Sequence, residues 1–283
     1  HGIWFRRISV EAEHLLLKPL KLLDRTGAFR NPKRPFFASS LYYPGYALHI
    51  ARDLKRRQAD FVHIVNFSQY VPLIRLFNPN AKFVLHMQCE WLSQLDASMI
   101  ESRLMRTDLI IGCSDYITRK VRLRFPRFAD RCQMVYNGVD PNDFSNLGRP
   151  TKRNGEERIL FLGRVSPEKG VHILLDAFRE VLMRYPQAQL DIVGPMGSVA
   201  FDFVVALSDA DRVSKLASFY HGRLRVTDHY VDHLKKQLSP AEWKRARFLG
   251  SVPHSRVADH YRDADVFVFT SVWDEPFGIP IVE

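Results

Sequence analysis

One stretch decides the fold class of this chain: RILFLGRVSPEKGVHILLDAFREVLMRYPQAQLDIVG, residues 158–194. It opens with a short apolar run, residues 158–163, and closes with another, residues 188–194. Between them, apolar side chains recur at the spacing of an amphipathic helix until Pro186 ends the pattern. A strand, a helix and a second strand in this order form a βαβ unit, whose two strands lie parallel in one sheet.

The helix of this unit has one apolar face. Its positions are predicted to be core, with no chemical role: Val171, Leu174, Leu175, Phe178, Val181, Leu182 and Tyr185. Similar strand-like runs flank the unit, at residues 60–67, 82–87, 108–113, 246–250 and 265–271. They are nearly continuously apolar, which predicts strands buried on both faces. Because helical patterns such as residues 46–57 alternate with them, we predict an α/β chain with two doubly wound, Rossmann-like domains.

The domain boundary is predicted from a polar segment. Residues 145–157, SNLGRPTKRNGEE, contain two glycines and a proline, which favours an N-terminal domain over 1–150 and a C-terminal domain over 151–283. A second feature is the stretch from about 197 to 247, which is long for one connection between strands. The capping box at Ser239-Pro240-Ala241-Glu242 starts a helix there, so we predict a mostly helical insertion of unassigned role.

Composition and charge narrow the class of protein. With 46% apolar and 25% charged residues, the 283-residue chain has the balance of an ordinary globular protein, and it contains no run of about 18 apolar residues. Its three cysteines form no C-x-x-C pair, which predicts reduced thiols rather than a metal site or disulfides.

The positive charge is concentrated in the first half. Residues 1–150 contain 23 Lys and Arg against 13 Asp and Glu, whereas residues 151–283 contain 18 of each. This asymmetry favours an anionic partner for the first domain: lipid headgroups, phosphorylated substrates or nucleic acid. A solvated basic face on amphipathic helices explains the same charge and stays open.

Two segments of the second half contain residues suited to chemistry. In FLGRVSPEKG, residues 161–170, Arg164 and Lys169 flank the loop between a strand and a helix, where cations and backbone N–H groups suit a phosphate. The alternative is a capped helix start with two surface cations. In DEPFGIPIVE, residues 274–283, Glu275 and Glu283 lie eight residues apart.

Gly278, between these glutamates, allows the backbone to approach a ligand closely, and Glu283 is expected about one turn into the next helix, where its carboxylate suits a ribose diol. Two solvent-facing glutamates are the alternative. In the first half, His86 at the end of KFVLHM is a candidate, with a purely structural histidine as its alternative.

Together these motifs resemble the retaining glycosyltransferases of the GT-B fold, glycosyltransferase family 4. The resemblance runs from about residue 46 to the end of the chain, through VYNGVDPNDF, GRVSPEKG and EPFGIPIVE in the family's order. The family's first strand with its glycine-rich loop, and its elements after the second glutamate, are not matched. We therefore expect both domains to be incomplete in this fragment.

The resemblance implies a role for each motif residue. Arg164 and Lys169 would bind the diphosphate of a nucleotide-sugar, and Glu283 would hold its ribose. Glu275 and His86 would be the catalytic residues, in contact with the donor sugar. The donor-binding positions implied in full are Gly163, Arg164, Lys169, Phe277, Gly278, Ile279 and Glu283.

Further expectations concern the reaction and its location. No Asp-x-Asp pair directly follows a predicted strand, so we expect no metal and no cofactor. The resemblance implies transfer of a sugar, with retention, to a saccharide or lipid-linked acceptor. We expect no nucleic-acid partner and a cytoplasmic protein of a bacterial cell-surface polysaccharide or glycolipid pathway, peripheral at the inner face of the membrane, where the basic half meets anionic lipid.

Two other functions stay open at this point. A non-catalytic protein that binds nucleotides or nucleic acid would explain the basic half, and a glycoside hydrolase would also use two carboxylates. A dinucleotide-dependent oxidoreductase is disfavoured, because no strand is followed by G-x-G-x-x-G.

Overall fold

The computed structural model describes residues 5–25, 31–144, 156–197, 199–220 and 230–283. The chain divides into two compact units, His1–Asn137 and Gly138–Glu283. Each unit contains a four-stranded, wholly parallel sheet. The predicted α/β fold class with two Rossmann-like domains is therefore confirmed. Most of the polar segment that predicted the boundary, residues 145–155, lies outside the described residues.

The first unit has strand order β1-β2-β3-β4, with neighbours in the order of the chain. Its strands are β1 (Phe61–Val65), β2 (Lys82–Met87), β3 (Leu109–Gly112) and β4 (Cys132–Met134). Its helices are α1 (Glu11–Arg25), α2 (Pro44–Arg56), α3 (Val71–Phe77), α4 (Trp91–Gln94), α5 (Ala97–Leu104) and α6 (Asp115–Arg124).

Strand β1 corrects the prediction of strands buried on both faces, and so do β7 (Ala246–Gly250) and β8 (Val266–Val268), where Leu249 is 40% and Val266 50% exposed. Val62 and Ile64 are in the core, but Phe61 is 72% exposed and Val65 48% exposed. The alternate side chains of β2 and β3 on the same face are also only partly buried, so the described residues cover this face of the sheet incompletely. An apolar run alone does not distinguish such a strand from one covered on both sides.

The second unit has strand order β7-β6-β5-β8. Its strands are β5 (Arg158–Leu162), β6 (Gln189–Val193), β7 (Ala246–Gly250) and β8 (Val266–Val268). Its helices are α7 (Pro141–Phe144), α8 (Val171–Arg184), α9 (Phe201–Val204), α10 (Asp211–Ser214), α11 (Tyr230–Gln237), α12 (Pro240–Trp243), α13 (Val257–Arg262) and α14 (Ile279–Val282). The chain runs from β5 to β7 in one direction and then returns to the other side of β5. Ligands of doubly wound sheets bind at such a switch point, at the carboxyl ends of the strands.

The core of the second unit explains why α8 forms where it does. Val171, Leu174, Leu175 and Phe178 are buried, as the helical spacing predicts. Val181 and Leu182 pack on this core while partly exposed. Tyr185 was predicted to be core, and this is wrong: it is 56% exposed. It follows α8 as the C-cap residue with φ −127°, so the helical stripe has ended before it.

The long connection from β6 to β7 consists of two different parts. Helix α11 packs Tyr230 and Leu234 into the same core as α8, so it is the crossover helix that a parallel sheet requires. Residues 199–220 instead bury their own small cluster around Val204, Leu216 and Tyr220. Within the described ranges, the insertion expected over about 197–247 is thus narrower, and we refer to residues 199–220 as the insertion.

Candidate functional site

The candidate site of the second unit lies at the carboxyl ends of β5 and β8. After β5 the chain passes Gly163 and Arg164 and makes a turn of 3-10 helix, Pro167–Lys169, before α8. The loop after β8 lies alongside this turn, because the two strands are parallel neighbours. The Thr270 hydroxyl donates to the Lys169 carbonyl oxygen at 2.9 Å.

Gly170 permits this close approach. Its φ is +71°, a left-handed conformation that favours glycine. A Cβ at this position would lie nearer than 3.0 Å to the Thr270 carbonyl oxygen, a distance that real Cβ atoms essentially never show. The loop that ends in α8 and the loop that follows β8 are therefore in backbone contact at Gly170.

Lys169 and Glu275 meet at the centre of the site. The Lys169 ammonium lies 2.5 Å from Oε2 of Glu275, and the two side chains are 20% and 19% exposed. The same oxygen accepts from the Ser271 hydroxyl at 3.0 Å and from the Trp273 indole N–H at 2.9 Å. Within the described part of the chain, Oε1 of Glu275 accepts no hydrogen bond.

Arg164 rests against a buried carboxylate. Its side chain is 44% exposed, and Nη1 lies 3.7 Å from Oε1 of Glu168, whose side chain is fully buried. The Ser166 hydroxyl donates to the same oxygen at 2.6 Å. Oε2 of Glu168 has no hydrogen-bond partner among the described residues. Arg164 therefore has an anion on its protein side and an open side toward solvent.

Glu283 ends α14 and meets a tyrosine. The Tyr261 hydroxyl lies 3.0 Å from Oε2 of Glu283 and 3.0 Å from the Pro280 carbonyl oxygen. Burial, and then the Glu283 carboxylate, raise the pKa of Tyr261, so this hydroxyl stays protonated and donates. Gly278 is the N-cap residue of α14 and has φ +82°, a left-handed conformation that favours glycine.

A hollow joins part of the predicted donor site. It measures about 40 Å³ and is lined by residues of β5, of the loops that follow β5 and β8, and of α14: Phe161, Leu162, Gly163, Lys169, Phe269, Thr270, Ser271, Glu275 and Pro280. Gly163, Lys169 and Glu275 thus share one hollow. Arg164, Phe277, Gly278, Ile279 and Glu283 are not among its lining residues. A space of this size accepts a small group, so a larger ligand would lie across the strand ends.

His86 lies in the first unit, near the carboxyl end of β2. Its Nδ1 is 3.2 Å from Nε2 of His63, with the two rings stacked at a centroid distance of 5.3 Å. Burial, and then the neighbouring His63, lower the pKa of His86, so its imidazole is neutral near pH 7.

Sequence reasoning missed the partners of His86. Nε2 of Gln88 lies 3.0 Å from Nε2 of His86, and the Gln88 amide exchanges two hydrogen bonds with the Asn137 amide, at 2.9 and 2.6 Å. Gln88 follows His86 by two positions, and residues two apart share one face of a strand. That spacing is a signal that could have found Gln88, whereas Asn137 lies 49 residues further along the chain.

Within residues 5–25, 31–144, 156–197, 199–220 and 230–283, no group of three or more His, Cys, Asp or Glu side chains is placed to hold a metal ion. The same ranges contain no helix whose length and apolar character would let it span a membrane. The expectation of a reaction without metal stays a prediction.

Comparison with known proteins identifies the family. Residues 11–143 match the family described as Glycosyltransferase Family 4, and residues 144–283 match Glycosyl transferases group 1. The chain belongs to the family 4 glycosyltransferases. It is 28% identical over 247 residues to the putative glycosyltransferase YtcC of Bacillus subtilis, covering 82% of this chain and 54% of that protein. It is also 35% identical over 152 residues to the phosphatidyl-myo-inositol mannosyltransferase of Mycobacterium tuberculosis, covering 53% of this chain and 31% of that protein.

Solved structures support the same fold for this family 4 chain. It is similar to the α,α-trehalose-phosphate synthase of Burkholderia vietnamiensis with a TM-score of 0.57 and 13% identity, covering 83% of this chain and 60% of that one. Sucrose-phosphate synthase of Thermosynechococcus elongatus is similar with a TM-score of 0.54 and 18% identity, covering 85% and 57%. Such likeness shows the GT-B fold alone. The chain spans about half to two thirds of the length of YtcC and these two structures.

Proposed function

We propose that this chain contains the donor site of a retaining, metal-independent glycosyltransferase, which moves a sugar from a nucleotide-diphosphate sugar to a saccharide or lipid-linked acceptor. The observation that carries the proposal is the Lys169–Glu275 pair, which lies in the hollow at the switch point between β5 and β8. A cation for the diphosphate and a carboxylate for the sugar are thereby placed side by side. Retention rests on family membership.

The two cations of the first loop would bind the diphosphate. Lys169 and Arg164 flank the turn between β5 and α8, and their side chains are 20% and 44% exposed. Negative charge builds on the diphosphate as the sugar departs, and fixed cations stabilise that charge without a metal. Each charge-assisted hydrogen bond is worth about 1.5–3 kcal/mol.

Glu275 would bind the donor sugar through one oxygen. Its Oε2 is occupied by Lys169, Ser271 and Trp273, whereas Oε1 accepts no hydrogen bond in the described ranges. A carboxylate held in this way can accept from a sugar hydroxyl without giving up its ion pair. Backbone groups at Phe277, Gly278 and Ile279 are proposed as further contacts, because Gly278 carries no side chain.

Two further roles complete the proposal. Glu283 would hold the ribose hydroxyls, with the Tyr261 hydroxyl fixing the direction of its carboxylate. His86 would contact the donor sugar from the first unit as a neutral imidazole, a role supported by the family resemblance and by its lowered pKa.

The test is a screen of nucleotide-sugars with the purified chain. We expect one donor to yield nucleoside diphosphate in the presence of EDTA, and the matching diphosphate to raise the thermal midpoint. Lys169→Ala should slow release about ten- to a hundredfold, whereas Lys235→Ala, at an exposed lysine paired with Asp232, should not. Turnover that disappears with EDTA would contradict metal independence. Hydrolysis of glycosides without any diphosphate-induced stabilisation would favour the hydrolase alternative.

A second proposal places the protein in the cytoplasm, at the anionic inner face of a membrane. Leu15 and Leu16 of α1 are 59% and 77% exposed. On α2, Arg52 and Lys55 line a groove together with the apolar side chain of Leu48. Exposed leucines and a groove lined by cations are both features that suit a surface of anionic lipid.

Vesicle sedimentation tests this location. We expect binding to vesicles that contain phosphatidylglycerol, weaker binding at high salt, and loss of binding in Arg52→Ala/Lys55→Ala. The matched control is Arg179→Ala on α8 of the second unit, which should bind as the wild type does. Equal binding to neutral vesicles, or binding to neither kind, would remove the proposal.

A further inference from the structure

The insertion packs against the loop that holds Glu275. Its buried cluster contains five side chains: Val204, Val205, Val213, Leu216 and Tyr220. Val272 and Trp273, which follow β8, pack against this cluster. Residues 199–220 therefore bury apolar surface on the loop of the candidate site, although they contribute no side chain to its hollow.

An ion pair joins the same two segments. Arg212 of α10 pairs with Asp274, the residue between Trp273 and Glu275. Their side chains are 55% and 47% exposed, so the pair adds little to the stability of the fold. The ion pair acts locally, because it attaches the insertion to Asp274, the residue directly before Glu275.

Trp273 links this packing to the site chemistry. Its ring lies on the insertion cluster, and its indole N–H donates to Oε2 of Glu275 at 2.9 Å. The Lys169 ammonium is 5.6 Å from the centre of the same ring. Trp273 is thus one of three side chains, with Lys169 and Ser271, that hold Oε2 of Glu275. It is the one of the three that also packs on the insertion cluster.

We propose that the insertion is a positioning element, which acts through Trp273 to hold Glu275 with Oε1 directed at the donor sugar. The proposal rests on the donor site proposed above, and it assigns to residues 199–220 the selectivity for a sugar-bearing nucleotide over the bare diphosphate. Trp273 and Arg212 are positioning residues, because they act through Glu275.

The experiment compares paired ligands by calorimetry: UDP with UDP-glucose, GDP with GDP-mannose, and ADP with ADP-glucose. Trp273→Phe keeps an aromatic ring on the cluster but removes the N–H. We expect its affinity for the nucleotide-sugar to fall about three- to tenfold, with the affinity for the diphosphate unchanged within about twofold. Arg212→Ala should shift the ratio of the nucleotide-sugar affinity to the diphosphate affinity by about twofold. Arg212 is exposed, so its replacement leaves the buried cluster in place.

The matched control is Trp243→Phe, since Trp243 stacks on Phe248 away from the Glu275 loop. It should leave the ratio of the two affinities unchanged. Equal losses for sugar-bearing and bare nucleotides in Trp273→Phe, or no loss for either, would overturn the inference while the donor site stands. A wild-type chain that binds none of the pairs would reject the donor site, and the inference with it.

Discussion

Replacing Gly170 by alanine tests the backbone contact on which the site depends. Gly170 has φ +71°, and an added Cβ would lie nearer than 3.0 Å to the carbonyl oxygen of Thr270. A carbonyl oxygen is part of the backbone, so it cannot rotate away as the tip of a side chain could. The loop after β8 must move, and it contains Glu275.

The expected magnitude has two parts. A left-handed conformation costs a residue with a Cβ about 1–2 kcal/mol, and forcing an extra carbon into a packed position costs about 1–3 kcal/mol. Gly170→Ala should therefore lower the free energy of unfolding of the second unit by about 2–5 kcal/mol. With a denaturant slope of about 2 kcal/mol per molar urea, the midpoint should fall by about 1–2.5 M.

The assay is urea unfolding followed by circular dichroism, with donor affinity measured on the same samples. The control is Gly197→Ala, because a Cβ at Gly197 would meet nothing within 4 Å. We expect the control to unfold within about 0.5 kcal/mol of the wild type. If Gly170→Ala and Gly197→Ala had the same midpoint and the same donor affinity, the argument from backbone contact would be refuted.

Three further outcomes are expected. Arg164→Ala should lower kcat/KM for the donor about ten- to a hundredfold, and a change of less than twofold in steady-state kinetics would remove Arg164 from the site. Tyr261→Phe should weaken binding of the nucleoside diphosphate about two- to tenfold by calorimetry, because Glu283 loses its donor; unchanged binding would contradict that link. Burial, and then the nearby His233, lower the pKa of His172 to about 4. Below about pH 6.5 the unfolded chain binds more protons than the folded chain, so the free energy of unfolding should fall by about 1–2 kcal/mol toward pH 4. The fall should be smaller in His172→Gln. If urea unfolding gave the same dependence of the free energy of unfolding on pH for both proteins, this prediction would be refuted.

The sequence predicted the elements of the fold more reliably than their surroundings. The helical stripe from Val171 to Phe178 is buried as predicted, because helical spacing and apolar character are properties of neighbouring residues. The apolar run of β1 was equally clear, yet Phe61 is 72% exposed. Whether a strand is covered on both faces depends on which other elements pack against the sheet, which its own residues do not determine.

The partners of the candidate site residues could not be predicted in the same way. The structure shows that Lys169 is bonded to Glu275, 106 residues away, and that Trp273 donates to the same carboxylate. It also places a buried Glu168 behind Arg164, although the spacing of these two residues resembles any pair on a helix surface. Because Glu168 is buried, its carboxylate lies on the protein side of the Arg164 guanidinium, which the spacing alone does not predict.

Local patterns therefore determined that this chain is built of parallel βαβ units, and the motifs indicated which loops contain the chemistry. Backbone conformation and hydrophobic spacing depend on residues that are close together in the chain, so the sequence alone predicts both. The order β7-β6-β5-β8 was decided by tertiary packing alone. It makes the loops after β5 and β8 neighbours, and the ammonium and the carboxylate meet because two strands distant in the chain are adjacent in the sheet.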